Sequence, residues 1–106
     1  MVYALKGAGQ VHALDNVSLQ IDSGETVGIL GESGSGKTTL AKAIMRMLPA
    51  NATCSGGEIL IDNRDLLKLP ETELHTIRGR AIAMIPQDPA LCLNPVLTVG
   101  CQILEV

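Results

Sequence analysis

Eight consecutive residues of this 106-residue chain carry a recognisable chemistry. Gly31-Glu32-Ser33-Gly34-Ser35-Gly36-Lys37-Thr38 satisfies the spacing G-x-x-x-x-G-K-[ST]. A chain of phosphates needs many donors converging on a small anion, and glycines let backbone N–H groups turn inward with no Cβ to hold the anion off. Lys37 adds a mobile positive charge, Thr38 offers a hydroxyl to Mg2+, and Ser35 and Thr39 supply further phosphate contacts. A helix starting at Lys37 would aim its unpaired N–H groups and positive dipole end at the same point. Two blander readings compete. A dinucleotide loop fails because Gly34-Ser35-Gly36 runs into Lys37-Thr38-Thr39, where G-x-G-x-x-G requires a third glycine. A glycine-rich turn with an exposed lysine has to be weighed against the flanking elements.

Those elements fit a phosphate loop. Thr26-Val27-Gly28-Ile29-Leu30 is a short apolar run without strict alternation, as in a strand buried on both faces. After the loop, Leu40, Ile44 and Leu48 recur every four residues while Lys42 and Arg46 take another face, which predicts a helix with one apolar stripe ending at Pro49. Upstream, Val17, Leu19 and Ile21 alternate with Ser18 and Gln20, predicting an antiparallel edge strand, and Asp22-Ser23-Gly24-Glu25 supplies turn chemistry. Glu58 to Ile61 reads as another strand. Pro70 opens a short helix whose acidic start and later Arg78 and Arg80 suit its own dipole. Ala81 to Ile85 reads as a buried strand, Pro86, Pro89 and Pro95 mark an irregular segment, and Thr98 is placed to cap a further helix. This succession predicts α/β architecture with a largely parallel sheet.

Composition narrows the classes. The length fits one core, built from aliphatic side chains because Tyr3 is the single aromatic residue. Eleven acidic and eight basic residues give a net charge of −3, without a basic run to track a nucleic-acid backbone. Cys54, Cys92 and Cys101 are far apart, as are His12 and His75, so free thiols in a reducing compartment are expected rather than a zinc site or disulfides. The first residues lack signal-peptide character, and no apolar run approaches the length of a membrane span.

Beyond the loop, four stretches carry a closer likeness: Ala13-Leu14-Asp15-Asn16-Val17-Ser18-Leu19, Gly24-Glu25, the loop itself, and Ile85-Pro86-Gln87-Asp88-Pro89 followed by Leu93-Asn94-Pro95. Over nearly its whole length the chain resembles the ATP-binding subunit of ABC transporters, in the dipeptide, oligopeptide and nickel importer branch. The resemblance implies an ABC-type nucleotide-binding domain of the P-loop NTPase fold, of which residues 1–106 would be the N-terminal portion. That portion would comprise an antiparallel edge layer and a partial parallel core sheet, ending at the start of the helical subdomain. It implies ATP and Mg2+ as ligands, permease subunits and a second ATP-binding subunit as partners, and a place on the cytoplasmic face of the membrane. It makes Gln87, otherwise a polar turn residue between two prolines, the residue that reaches toward Mg2+ and the attacking water. Tyr3 falls where the family has an aromatic that stacks on adenine, although a stray aromatic near a terminus reads the same way.

Ser55-Gly56-Gly57-Glu58 looks like the middle of the family's signature motif. It precedes a strand, lies upstream of Gln87 and lacks the leading leucine, so a tight turn is expected instead. The signature motif, the Walker B carboxylates, the D-loop and the switch histidine do not follow Gln87, and His75 sits upstream of it. The expectation is therefore a truncated product or a piece of a longer subunit, able to bind ATP and unable to complete hydrolysis alone. A nucleotide-binding module without activity and a non-transport ABC ATPase are the alternatives.

Overall fold

The computed structural model describes residues 2–5 and 9–105, with side chains from residue 12 onward except Pro89. Strands β1 (Val2–Leu5) and β2 (Gly9–His12) pair antiparallel, and β1 also pairs antiparallel with β3 (Ala52–Thr53), giving the order β2-β1-β3. Strands β4 (Leu60–Ile61) and β5 (Arg64–Asp65) form a separate hairpin. Its two turn residues, Asp62 and Asn63, both have positive φ, 49° and 63°. That is the primed-turn backbone whose twist matches the strands it joins, and Asp and Asn tolerate it better than most side chains.

Helix α1 spans Lys37–Ile44 and stops before the predicted Pro49. Arg46 turns left-handed at φ 51°. Its N–H donates to Ala43 O at 3.0 Å, and the Met47 N–H donates to Lys42 O at 2.8 Å. This pair of bonds satisfies two of the carbonyls a helix leaves open at its end. Helix α2 spans Glu71–Ile77 behind Pro70, and Gly79 at φ 84° follows the extended Arg78 that ends it. Helix α3 spans Val99–Leu104, and the Thr98 hydroxyl accepts the Cys101 N–H at 3.3 Å as the sequence predicts.

The core lies between the β4–β5 hairpin and α2. Leu66 and Leu74 are almost fully enclosed and Ile77 is buried with them, while Ile59, Ile61, Leu69 and Ile82 pack around this group. Asp65 ties the hairpin to the core. Its Oδ1 accepts the N–H groups of Ile59 at 3.1 Å and Leu67 at 3.0 Å, and Oδ2 lies 3.3 Å from Lys68 Nζ. The Ile59 and Leu67 amides and the nearby ammonium together hold its carboxyl below the ordinary value, against an opposing contribution from desolvation.

The strands expected for a parallel sheet are not paired with one another among the described residues. Residues 17–21, 26–30 and 83–85 carry no regular secondary structure and belong to no ladder among the described residues; Arg78 and Ile82 make the one isolated parallel bridge described near the last of them. Leu30 and Ile85 are 97% and 96% exposed. Apolar patterning fits these segments for burial without naming the strand that lies beside them, and a parallel pair in addition needs a crossover connection. The antiparallel layer uses residues 2–5, 9–12 and 52–53 in place of 17–21. The predicted turn at Asp22–Glu25 is present, with the Glu25 N–H on Asp22 O at 3.0 Å.

Candidate functional site

The loop from Gly31 to Gly36 is shaped by glycines with different duties. Gly34 and Gly36 have φ of 81° and 95°, the left-handed region that side chains disfavour. At Gly36 a Cβ would also lie 3.0 Å from Ala13 O and 3.2 Å from Leu14 Cδ2, so the start of α1 is seated against residues 13 and 14. Gly31 has no positive φ, yet a Cβ there would sit 2.6 Å from Ser35 Oγ. The absence of that carbon lets the Ser35 side chain close over the loop. The Ser35 N–H donates to Glu32 O at 3.2 Å, which folds the loop back on itself.

Gly36 is the residue before the first turn of α1, and no side chain caps that turn. The first N–H groups of a helix have no partners of their own and carry the positive end of the dipole. Beside them the Lys37 ammonium donates to Gly31 O at 2.5 Å, Glu32 O at 2.6 Å and Ser35 Oγ at 3.2 Å. An ammonium has three N–H groups, so this loop employs all of them. The result is a cation fixed inside a glycine-rich loop at a positive helix end, which is suited to a polyanion that takes over some of those donors.

Gly31, Glu32, Ser35 and Lys37 are thus brought together by hydrogen bonds, with Gly34 and Gly36 setting the backbone between them. Ser33 and Thr38 are exposed and Thr39 is half-buried, and no hydrogen bond engages these three hydroxyls among the described residues. Gln87 is exposed at a bend that follows Pro86, and no hydrogen bond joins it to the loop among the described residues. Tyr3 lies on β1 with its backbone opposite Val11 and Ala52, and its side chain is outside the described residues. Gly57 has φ 101°, and the stretch Ser55 to Glu58 where a tight turn is expected shows a bend at Gly56. Cys54, Cys92 and Cys101 are free thiols, and the described residues contain no cluster of three or more His, Cys, Asp or Glu.

Two arginines take roles that the sequence does not announce. Arg46 is not on the polar face of α1: past the helix end, its Nη1 donates to Leu66 O at 3.0 Å and Leu69 O at 2.6 Å. Arg78 serves the end of α1 as well as its own helix. Its Nε donates to Met45 O and its Nη2 to Arg46 O, both at 2.9 Å, while Nη1 pairs with Glu71 at 2.5 Å. Helical spacing places Arg46 and Arg78 on helices but gives no sign of partners twenty or more residues away.

Compared with known proteins, the chain matches the family profile described as ABC transporter over residues 14–102. It is 48% identical over 99 residues to the probable D,D-dipeptide transport ATP-binding protein DdpD of Escherichia coli, a match covering 92% of this chain and 30% of that protein. It is 46% identical over 99 residues to the oligopeptide transport ATP-binding protein OppD of Bacillus subtilis, covering 92% and 28%. The dipeptide transport ATP-binding protein DppD of Lactococcus lactis is 46% identical over 98 residues, again covering 92% and 28%. The chain therefore spans under a third of the length of these relatives. Among the described residues no helix is long and apolar enough to cross a membrane.

Proposed function

This chain belongs to the ABC transporter ATP-binding family, and from that membership we propose that it forms the Mg·ATP-gripping part of a peptide importer's ATPase subunit. The observation that carries the reading is the Lys37 ammonium, held by Gly31, Glu32 and Ser35 at the uncapped start of α1. The loop suits a nucleotide's phosphates on three counts: a Gly31 whose missing Cβ lets Ser35 close over the loop, N–H groups without side-chain caps, and one fixed cation. Gly31 to Gly36 would surround the phosphates through their backbone, Lys37 would balance their charge, and Ser35 and Thr39 would add hydroxyl contacts.

The Thr38 hydroxyl, which makes no hydrogen bond among the described residues, fits a Mg2+ ligand, and the exposed amide of Gln87 suits the same role. Bound Mg2+ would draw negative charge away from the phosphate oxygens. The chain's own task is positioning and electrostatic stabilisation, which make up most of phosphoryl-transfer catalysis. Hydrolysis belongs to the complete subunit, paired with a second ATP-binding subunit and with permease subunits at the cytoplasmic face of the membrane. Peptides are the proposed cargo because the relatives cited are named for dipeptide and oligopeptide transport.

The test is ATP-driven uptake of labelled di- and oligopeptides by proteoliposomes holding the complete subunit with its permeases, wild type against Lys37→Ala. Peptide uptake that depends on Lys37 supports the proposal. Uptake of another solute in place of peptides, or peptide uptake indifferent to Lys37, contradicts it.

A further inference from the structure

Helix α1 has two ends, and the phosphate loop occupies only one of them. At the other, Met45 O and Arg46 O are carbonyls of the kind a helix leaves unpaired, at the negative end of its dipole. Both are taken by one side chain, Arg78, from 33 and 32 residues away. A guanidinium is a planar fork, so it fixes direction as well as distance, and here only a fifth of it is exposed. The same corner is fastened to the core by Arg46, whose left-handed backbone is disfavoured for a residue with a Cβ. That conformation is retained while its guanidinium is anchored on Leu66 O and Leu69 O.

Arg78 is also the root of the segment that leads to Gln87. Its N–H closes α2 on Leu74 O at 2.9 Å, and its backbone bridges Ile82. The Gly79 N–H donates to Ile82 O at 2.8 Å and the Ile82 N–H to Ile77 O at 3.3 Å, so residues 77–82 form a tight knot. From that knot the chain continues without regular secondary structure through 83–86 to the bend at Gln87. One side chain therefore joins the far end of the phosphate-loop helix to the origin of the Gln87 segment.

We infer that Arg78 is a positioning residue, which holds the segment leading to Gln87 in register with α1 so that nucleotide bound at the loop restrains residues 78–87. The inference rests on the proposed nucleotide-binding role of the loop. A merely structural arginine would affect stability without deciding how far the effect of nucleotide travels.

The experiment is amide hydrogen exchange, read by mass spectrometry, on the 106-residue chain with and without Mg2+ and a non-hydrolysable ATP analogue. In wild type the analogue slows exchange in peptides covering 37–47 and 78–87. In Arg78→Lys, which keeps the charge and loses the fork, the first effect persists with unchanged affinity and the second falls by roughly 2- to 30-fold. Glu71→Gln, which leaves the fork on Met45 and Arg46, behaves as wild type. Equal protection of 78–87 in Arg78→Lys and wild type overturns the inference. So does a wild type that binds the analogue without protection at 78–87, a result that stands even where the variant does not fold. A wild type that fails to bind the analogue overturns the phosphate-loop reading itself, and the inference with it.

Discussion

Alanine at Gly34 and at Gly36 separates two reasons for having glycine. Both positions have positive φ, so each substitution places a Cβ in the left-handed region at roughly 1–2 kcal/mol. Around Gly34 nothing lies within 4 Å of the added carbon, and backbone strain is the whole cost. At Gly36 the carbon meets Ala13 O at 3.0 Å and Leu14 Cδ2 at 3.2 Å. The leucine methyl can swing aside but the backbone oxygen cannot without moving the chain, and overpacking of this kind adds about 1–3 kcal/mol. The expected losses are about 1–2 kcal/mol for Gly34→Ala and about 2–5 kcal/mol for Gly36→Ala, against a domain stability of about 5–15 kcal/mol. Urea unfolding followed by circular dichroism reads both. With a slope near 2 kcal/mol per molar, the Gly34→Ala midpoint falls by about 0.5–1 M and that of Gly36→Ala by about twice as much. Equal shifts in the two variants would refute the seating of α1 on Ala13.

Three further outcomes are expected. Gly31→Ala has no positive φ to strain and displaces the Ser35 hydroxyl from Lys37, so folding is little changed while affinity for a fluorescent ATP analogue drops about ten-fold, or about 1.4 kcal/mol; unchanged affinity counts against the closed loop. Asp65 has a lowered pKa in the folded chain, so its contribution is present above the ordinary value of 3.8 and is lost as pH falls from there through the folded value. Thermal midpoints measured down that acid limb should fall less steeply in Asp65→Asn, and parallel curves would remove Asp65 as a cause. Finally, the accessible surface of 8625 Å2 exceeds the roughly 5,700 Å2 usual for a folded chain of this mass, with Leu30 and Ile85 almost bare. Size-exclusion chromatography should show concentration-dependent self-association that Leu30→Lys with Ile85→Lys suppresses, and a monomer at every concentration would contradict this.

What could be read in the sequence was local. The loop, the start of α1 and the Thr98 cap depend on residues within a few positions of one another, and residue type specifies them directly. Pro70 marks the start of α2 for the same reason. The end of α1 was hidden because it depends on Arg46 reaching Leu66 and Leu69 and on Arg78 reaching back to Met45. The β4–β5 hairpin was half visible: Leu60 and Ile61 read as strand, but Asp62-Asn63 lacks the glycine that usually marks such a turn. For 17–21, 26–30 and 81–85, apolar patterning shows that a segment is fit to be buried and leaves open which neighbour covers it. The same limit applies to Gln87 and Tyr3, whose expected roles come from resemblance and have no local geometric signature.

The most direct test of the central claim is titration of the 106-residue chain with a fluorescent ATP analogue, with and without Mg2+, for wild type and Lys37→Ala. Removing Lys37 leaves the backbone donors of the loop in place and takes away the one cation held among Gly31, Glu32 and Ser35. A charge-assisted contact of this kind is worth about 1.5–3 kcal/mol, so affinity should fall by roughly 10- to 150-fold while circular dichroism stays unchanged. Equal affinities in the two proteins, at matched Mg2+ and with both folded, would contradict the assignment of this loop to nucleotide phosphates.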